Sequence, residues 1–310
     1  MSETANQARS YPIPEKLNII ILVVSMPVIW TLLWVASHLS IGWAILAALI
    51  FSQVNNTVFS LLHEAVHGIF SPNRFRNEMF GHICAAMFPT SLRLQRVAHL
   101  GHHRRNRTDQ DLYEYYLPGQ SKGRRNFHLY AGNLLGFYWF VIPESNFIYL
   151  VAPWLYTSKW FINGPARSLG FEPYIREIAQ QGKLRIWLEC LLAFTYQVLI
   201  FYLLDLNWFG WLLCYYFFAL HWSALQYVDH AYSERDIING AWNLKVSKPA
   251  QWIALNYHCH QVHHQHPDVP WIYLPKLVKQ DGRQPSFWKI YFRMWGGARE
   301  APPMGSASTI

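Results

Sequence analysis

At 310 residues the chain has room for about two soluble domains, but 52% hydrophobic and 17% aromatic residues against 14% charged ones describe an integral membrane protein. The net charge of +8 gives no independent support to a nucleic-acid partner, because its placement along the chain accounts for it. Cys84, Cys190, Cys214 and Cys259 are scattered and form no C-x-x-C pair, which excludes a disulfide framework and a thiolate metal site.

The opening M-S-E-T-A-N-Q-A-R-S-Y-P carries acid as well as base and leads into an apolar run longer than a signal peptide's core, so a retained first membrane helix is expected. Residues 17–38 supply it: about twenty apolar residues cross a hydrocarbon core of ~30 Å. Residues 41–62 form a second helix, hairpinned onto the first. Gln53, Asn55, Asn56 and Thr57 interrupt it and read as contacts between helices. Residues 68–185 are basic and hold little continuous apolar length. Pro143, Glu144 and Asn146 split residues 130–155 into pieces too short to span, which predicts interfacial or re-entrant helices. Residues 186–204 and 208–228 form a second hairpin. The chain thus reads as one all-α membrane domain over residues 1–297, followed by a disordered tail at 298–310.

The basic residues test this topology. Arg9 and Lys16 precede the first helix, fifteen fall between Gly68 and Arg185, and nine follow the fourth helix. Neither short outer turn carries one. The positive-inside rule therefore puts every large polar segment in the cytoplasm and favours four crossings.

Fifteen histidines are present, and most fall in three clusters that this topology brings to the cytoplasmic rim. His63 and His67, in H-E-A-V-H, stand one turn apart at the end of the second helix. His99, His102 and His103 follow in H-L-G-H-H, and His260, His263 and His264 in H-Q-V-H-H. Counting from Trp208, about twenty helical residues also bring Gln226 and His230 to that rim, one turn apart. Nine imidazoles exceed what one metal needs and imply two. Without thiolates, imidazole suits iron, copper, nickel and zinc, and oxygen-activating iron is favoured although spacing alone does not choose the metal. His258, His266, His82, His128 and His221 fall outside this set and read as structural. Asp109, Asp111, Asp229 and Glu64 are candidates for orienting the ligand imidazoles or for solvated acids.

The three boxes in this order, interleaved with two hairpins, resemble the membrane-bound fatty acid desaturase and hydroxylase superfamily over roughly residues 17–277. The run of arginine, asparagine and aspartate at 104–111 and the stretch H-H-Q-H-P-D-V-P-W-I-Y-L-P are similar to that family as well. The resemblance implies a cytoplasmic di-iron cap, O2 as co-substrate and a fatty acyl or other lipid substrate. It also implies a further ligand histidine at the fourth helix, which His230 matches. Some relatives place an asparagine one turn earlier that meets the metal through water; here Gln226 stands there.

Fatty acyl desaturation leads among the reactions that the resemblance implies. Hydroxylation, carotenoid ring hydroxylation or ketolation, and terminal-alkene formation by a decarboxylase use similar boxes. With no haem or iron–sulfur cysteine pattern in the chain, electrons are expected from a separate ferredoxin or b-type cytochrome docked on the basic face. Arg96, Arg104, Arg105 and Arg107 are candidate holders of an acyl head group, although most read as facing water and lipid phosphate. A different class is open through H-E-x-x-H, the motif of a zinc protease with Glu64 as general base, here intramembrane. A metal transporter is disfavoured, since transport sites lie near the midplane and these clusters lie at one rim.

Overall fold

The first two apolar runs, separated only by Leu39 and Ser40, fold as a hairpin of α1 (Glu15–His38) and α2 (Ile41–His67). Ala44, Ala47, Ala48 and Phe51 of α2 are buried, as are Ser25, Ile29, Leu33 and Ala36 of α1. The alanines and the serine among them let two helices approach closely where lipid, not water, surrounds them. Ile20, Val23, Val24, Trp43, Leu46 and Ile50 point outward instead. The computed structural model describes residues 11–279 and 282–306. The segment before residue 11, on which the signal-peptide reading rests, lies outside them.

The second helix continues five residues beyond its predicted end, so that the first histidine box is helical. Gly68 stops it: at φ +79° its N–H reaches back to the carbonyls of Glu64 and Ala65. Two helices of fourteen residues follow, α3 (Arg74–Met87) and α4 (Leu92–Arg105), and the second box lies in the last two turns of α4.

After the short strand β1 (Tyr115–Tyr116), α5 (Lys122–Phe127) leads through a π-helical turn to α6 (Phe137–Val151), with a bend of 86° between the two arms. The predicted break at Pro143 to Asn146 does not occur there, since α6 runs through these residues. Ser145 Oγ and Asn146 Nδ2 both donate to Ile142 O, which steadies the turn around the proline. The break falls at Gly136, where φ is +87° and a Cβ would stand 2.7 Å from the backbone nitrogen of Leu220. Only glycine fits both constraints.

A second long pair follows α7 (Glu172–Ala179), formed by α8 (Lys183–Leu203) and α9 (Trp208–Val228). By length and apolar character α1, α2 and α8 can each cross a membrane, and the bent pair around Gly136 has the apolar length for one more span. The fourth predicted crossing, α9, has the length but falls short in hydropathy, because tryptophans, tyrosines and His221 dilute its leucines. It packs against α1 and α2, and His221 Nδ1 lies 2.9 Å from Asn56 Nδ2 and 3.2 Å from both Ser52 Oγ and Gln53 Nε2. Gln53 and Asn56 of the polar interruption therefore join helices, as their residue types suggest, whereas Asn55 is buried with neither side-chain polar atom hydrogen-bonded. Thr57 Oγ1 donates to Ile253 O and Ser60 Oγ to Ala254 O, which ties α2 to α10 (Lys248–Ile253) just ahead of the third box.

The third box occupies a single short helix, α11 (His260–Gln265), and not a continuous helix from residue 256. Leu255 and Asn256 have φ of +45° and +55°, which breaks the chain between α10 and α11. Beyond α12 (Phe287–Met294) the segment expected to be a disordered tail is held as far as residue 306. Its strand β2 (Arg299–Glu300) pairs in parallel with β1, and Arg235 Nη1 donates to Pro302 O at 2.7 Å. Unpaired backbone groups of β1 gain partners that the tail's polar composition does not reveal. Residues 307–310 lie outside the described part.

Candidate metal centre

Nine imidazoles converge where the ends of α2, α4 and α9 meet α11. Their ring nitrogens form two groups, His63, His67, His99, His103 and His263 in one, His102, His230, His260 and His264 in the other, with the ligand atoms of each group within 4.8 Å of one another. His67 Nε2 stands 2.8 Å from His99 Nε2, and His103 Nε2 is 3.0 Å from both His99 Nε2 and His263 Nε2. Two nitrogens bound at right angles to one ion at about 2.1 Å stand about 3.0 Å apart.

The protonation of the second group decides what fits between its members. His230 Nδ1 lies 2.9 Å from Gly240 O, and a carbonyl only accepts, so Nδ1 carries the proton and Nε2 a bare lone pair. His102 Nδ1 lies 2.5 Å from Asp111 Oδ2, which likewise leaves Nε2 bare in the neutral ring. These two Nε2 atoms face each other at 3.2 Å. Facing lone pairs repel unless a cation lies between them. His63 Nε2 and both nitrogens of His264 are also buried without a hydrogen-bond partner.

Burial keeps much of the set neutral. His99, His230, His260, His263 and His264 are held well below the usual imidazole range, first by burial and then by neighbouring imidazoles. His103 is pushed down to about 2 for the same reasons. Neutral imidazole is the form that binds metal. The donor set therefore fits a pair of imidazole-bound cations.

The acids divide. Asp111 is the residue at His102, whereas Asp109 pairs with Arg235 at 2.5 Å and is largely exposed. Asp229 lies 3.5 Å from His260 Nδ1 and 3.9 Å from His230 Nε2, and burial pushes its carboxyl well up. Glu64 accepts from Trp271 N at 3.1 Å, with Oε1 4.0 Å from His63 Nδ1. Gln226 accepts from the Tyr257 hydroxyl at 2.8 Å. Among the outlying histidines, His82 pairs with Glu189 at 3.3 Å and His258 lies beside Cys259. Asp111→Asn is expected to weaken metal retention against a chelator by about 10- to 100-fold, measured as metal left on the protein after dialysis.

Two anchors of the site carry no motif. Glu189, on α8, accepts from Ser91 Oγ at 2.7 Å and from Arg93 N at 2.8 Å, and so fixes the start of the second-box helix. A lone carboxylate in an otherwise apolar run is the sequence signal for it. Glu114 accepts from the Tyr227 hydroxyl and from Tyr232 N (2.8 Å), which braces the end of α9 on both sides of His230.

A cavity of about 620 Å³ opens from the second group. His99, His102, His230 and His260 stand in its wall, followed by Ile142, Ile148, Phe161, Leu169, Ile175 and Ile178. The four arginines considered for a head group are engaged elsewhere: Arg96 with Glu78, Arg104 and Arg105 with Glu177, and Arg107 with Glu114. None lines the cavity.

The model of the family described as fatty acid desaturase matches residues 40–293. The chain belongs to this family. It is a family of membrane di-iron oxidoreductases, and the match takes in both groups of histidines. Comparison with curated proteins gives no match. Membership leaves no place for the zinc-protease reading of H-E-x-x-H. Glu64, moreover, is buried and bound to a backbone N–H, and it lies outside the large cavity.

Proposed function

We propose that the chain is an O2-dependent di-iron lipid desaturase, with the five-histidine group holding one iron and His102, His230, His260 and His264 the other. The facing lone pairs of His102 and His230 carry this reading. When bound, a reduced iron pair supplies O2 activation strong enough to take hydrogen from an unactivated C–H bond. The residues of the chain do the rest. Asp111 and the Gly240 carbonyl hold His102 and His230 with Nε2 toward the metal, and Asp229 stands beside His260. The apolar cavity wall holds a methylene chain against the site and keeps water away from it. In balance, two hydrogens leave neighbouring carbons, and O2 with two further electrons and two protons becomes two waters.

Four crossings by α1, α2, α8 and α9, with the bent α5–α6 arm re-entrant, put the site on the cytoplasmic side where the basic segments lie. The electrons come from a separate ferredoxin or b-type cytochrome. Profiling lipids and carotenoids of a host expressing the chain, beside His263→Ala, tests the assignment. A new double bond absent from the variant is expected. A new hydroxyl group would move the reaction to hydroxylation, and the same product in both strains would remove the catalytic claim.

A further inference from the structure

Two short helices away from the metal centre present aromatic rings to the exterior. Trp252 of α10 is 66% exposed, and on α12 Trp288 and Phe292 are 62% and 64% exposed. The opposite side of α12 is buried: Ile290 and Met294 join Tyr227 and Val228, at the end of α9, in one apolar cluster. Trp288, Phe292 and Trp295 succeed one another at i, i+4 and i+7, so they form one outward stripe. The two helices start side by side, since Lys245 N donates to Pro285 O at 2.9 Å and Phe287 N to Lys245 O at 3.4 Å.

Depth decides what covers these rings. Thr57 Oγ1 and Ser60 Oγ of α2 donate to the carbonyls of Ile253 and Ala254 at the end of α10. At 1.5 Å per residue these two donors stand about 24 and 29 Å beyond Ile41, the start of α2, at the far edge of a ~30 Å hydrocarbon core. The 21 residues of α9 span about 31 Å, so Val228, against which α12 packs, falls at the same level. An indole, apolar in its body and polar at Nε1, suits that level, where tryptophan is enriched in membrane proteins. Charge agrees with depth. Residues 245–255 and 282–297 carry Lys245, Lys248, Arg283, Lys289 and Arg293 and no acidic residue. The three lysines are exposed, and a lysine stem lies along apolar surface while its ammonium reaches a lipid phosphate.

We propose that α10 and α12 form an in-plane membrane anchor, their aromatic rings seated in the cytoplasmic leaflet at the edge of the hydrocarbon core and Lys245, Lys248 and Lys289 bound to anionic lipid phosphates. The anchor bears on the metal centre through the chain itself, because α10 leads through Leu255 and Asn256 into the third box on α11. It fixes the level of that box against the bilayer. The choice of leaflet rests on the topology proposed above; the depth of the rings does not.

The test uses the full-length protein in vesicles of phosphatidylcholine, alone or mixed with phosphatidylglycerol. The four native cysteines are buried, so a nitroxide label goes to an introduced one. Trp252→Cys and Trp288→Cys are compared with Ile20→Cys, on the outward side of α1, and with Asp109→Cys, whose side chain is largely exposed. At 252 and 288 the ratio of accessibility to O2 over that to a water-soluble nickel chelate is expected to be several-fold higher than at 109 and close to that at 20. Phosphatidylglycerol should raise the ratio further, and replacing Lys245, Lys248 and Lys289 together by glutamine should remove that rise. Phe292→Cys serves if a tryptophan variant does not fold. A ratio at 252 and 288 equal to that at 109 would overturn the anchor. So would spin broadening between labels on neighbouring copies, which would put a second chain on this face. A ratio indifferent to phosphatidylglycerol would overturn the anionic contact. The labels report depth without metal or product, so failure of the desaturase assignment is read separately, from the host's lipids.

Discussion

Replacing His230 by alanine is expected to abolish activity as fully as removing a box histidine and, with the two irons held as proposed, to lower the metal content toward one ion per chain. His230 stands outside the three boxes, yet its ring lies 4.7 Å from those of both His102 and His260 and 5.0 Å from that of His264. Removing it leaves three imidazoles in that group and the bare Nε2 of His102 without its opposing ligand. Even partners that only orient a ligand are worth about 10- to 100-fold in affinity, so a direct ligand is worth at least that. Iron analysis of the purified variant, beside product yield in the host, checks it. A variant with full activity and two irons would show that the ligand was misassigned.

Arg107→Met is expected to produce the largest loss of stability, about 3–5 kcal/mol. Arg107 and Glu114 are buried to within 1% of full burial and paired at 2.7 Å. Arg107 Nη2 also reaches Ser233 O at 3.2 Å, so the pair fastens the loop after the second box to the segment after α9. Burial pushes the Glu114 carboxyl up, but Arg107 and the hydrogen bonds from Tyr227 and Tyr232 outweigh it and hold the group below the usual range. A carboxyl held low stabilises the fold at neutral pH, and that contribution fades as pH falls through the carboxylate range. Without Arg107 the carboxylate is left buried and unpaired. Thermal unfolding in detergent measures the effect, and Arg107→Met combined with Glu114→Gln should recover part of it. Equal melting temperatures for wild type and the single variant would contradict the account.

Parts of this arrangement are plain in the residue pattern because they depend on local periodicity. The runs that became α1, α2 and α8 follow from apolar length alone, and the three boxes follow from histidines at i and i+4, with a third at i+3 in the second and third boxes. The amide-rich interruption of α2 is likewise readable as a helix contact. Where side chains or backbone from distant segments decide, the pattern misleads. Pro143 looks like a helix break, but side chains at 145 and 146 steady its turn while Gly136 bends against α9. Residues 298–306 look disordered because their partners, β1 and Arg235, are far away in sequence. Asp109 and Asp111 are indistinguishable as letters, and only the fold sends one to Arg235 and the other to His102.

The sequence by itself determined that this is a helical membrane protein whose histidines are spaced as metal ligands are, because hydrophobic length and imidazole spacing are properties of single segments. The tertiary structure alone decided how the nine imidazoles divide into five and four, which acids lie against them, and that a cavity with an apolar wall opens beside the four. Those outcomes depend on which faces of α2, α4, α9 and α11 meet, and pairwise packing of helices far apart in the chain leaves no mark in any one of them.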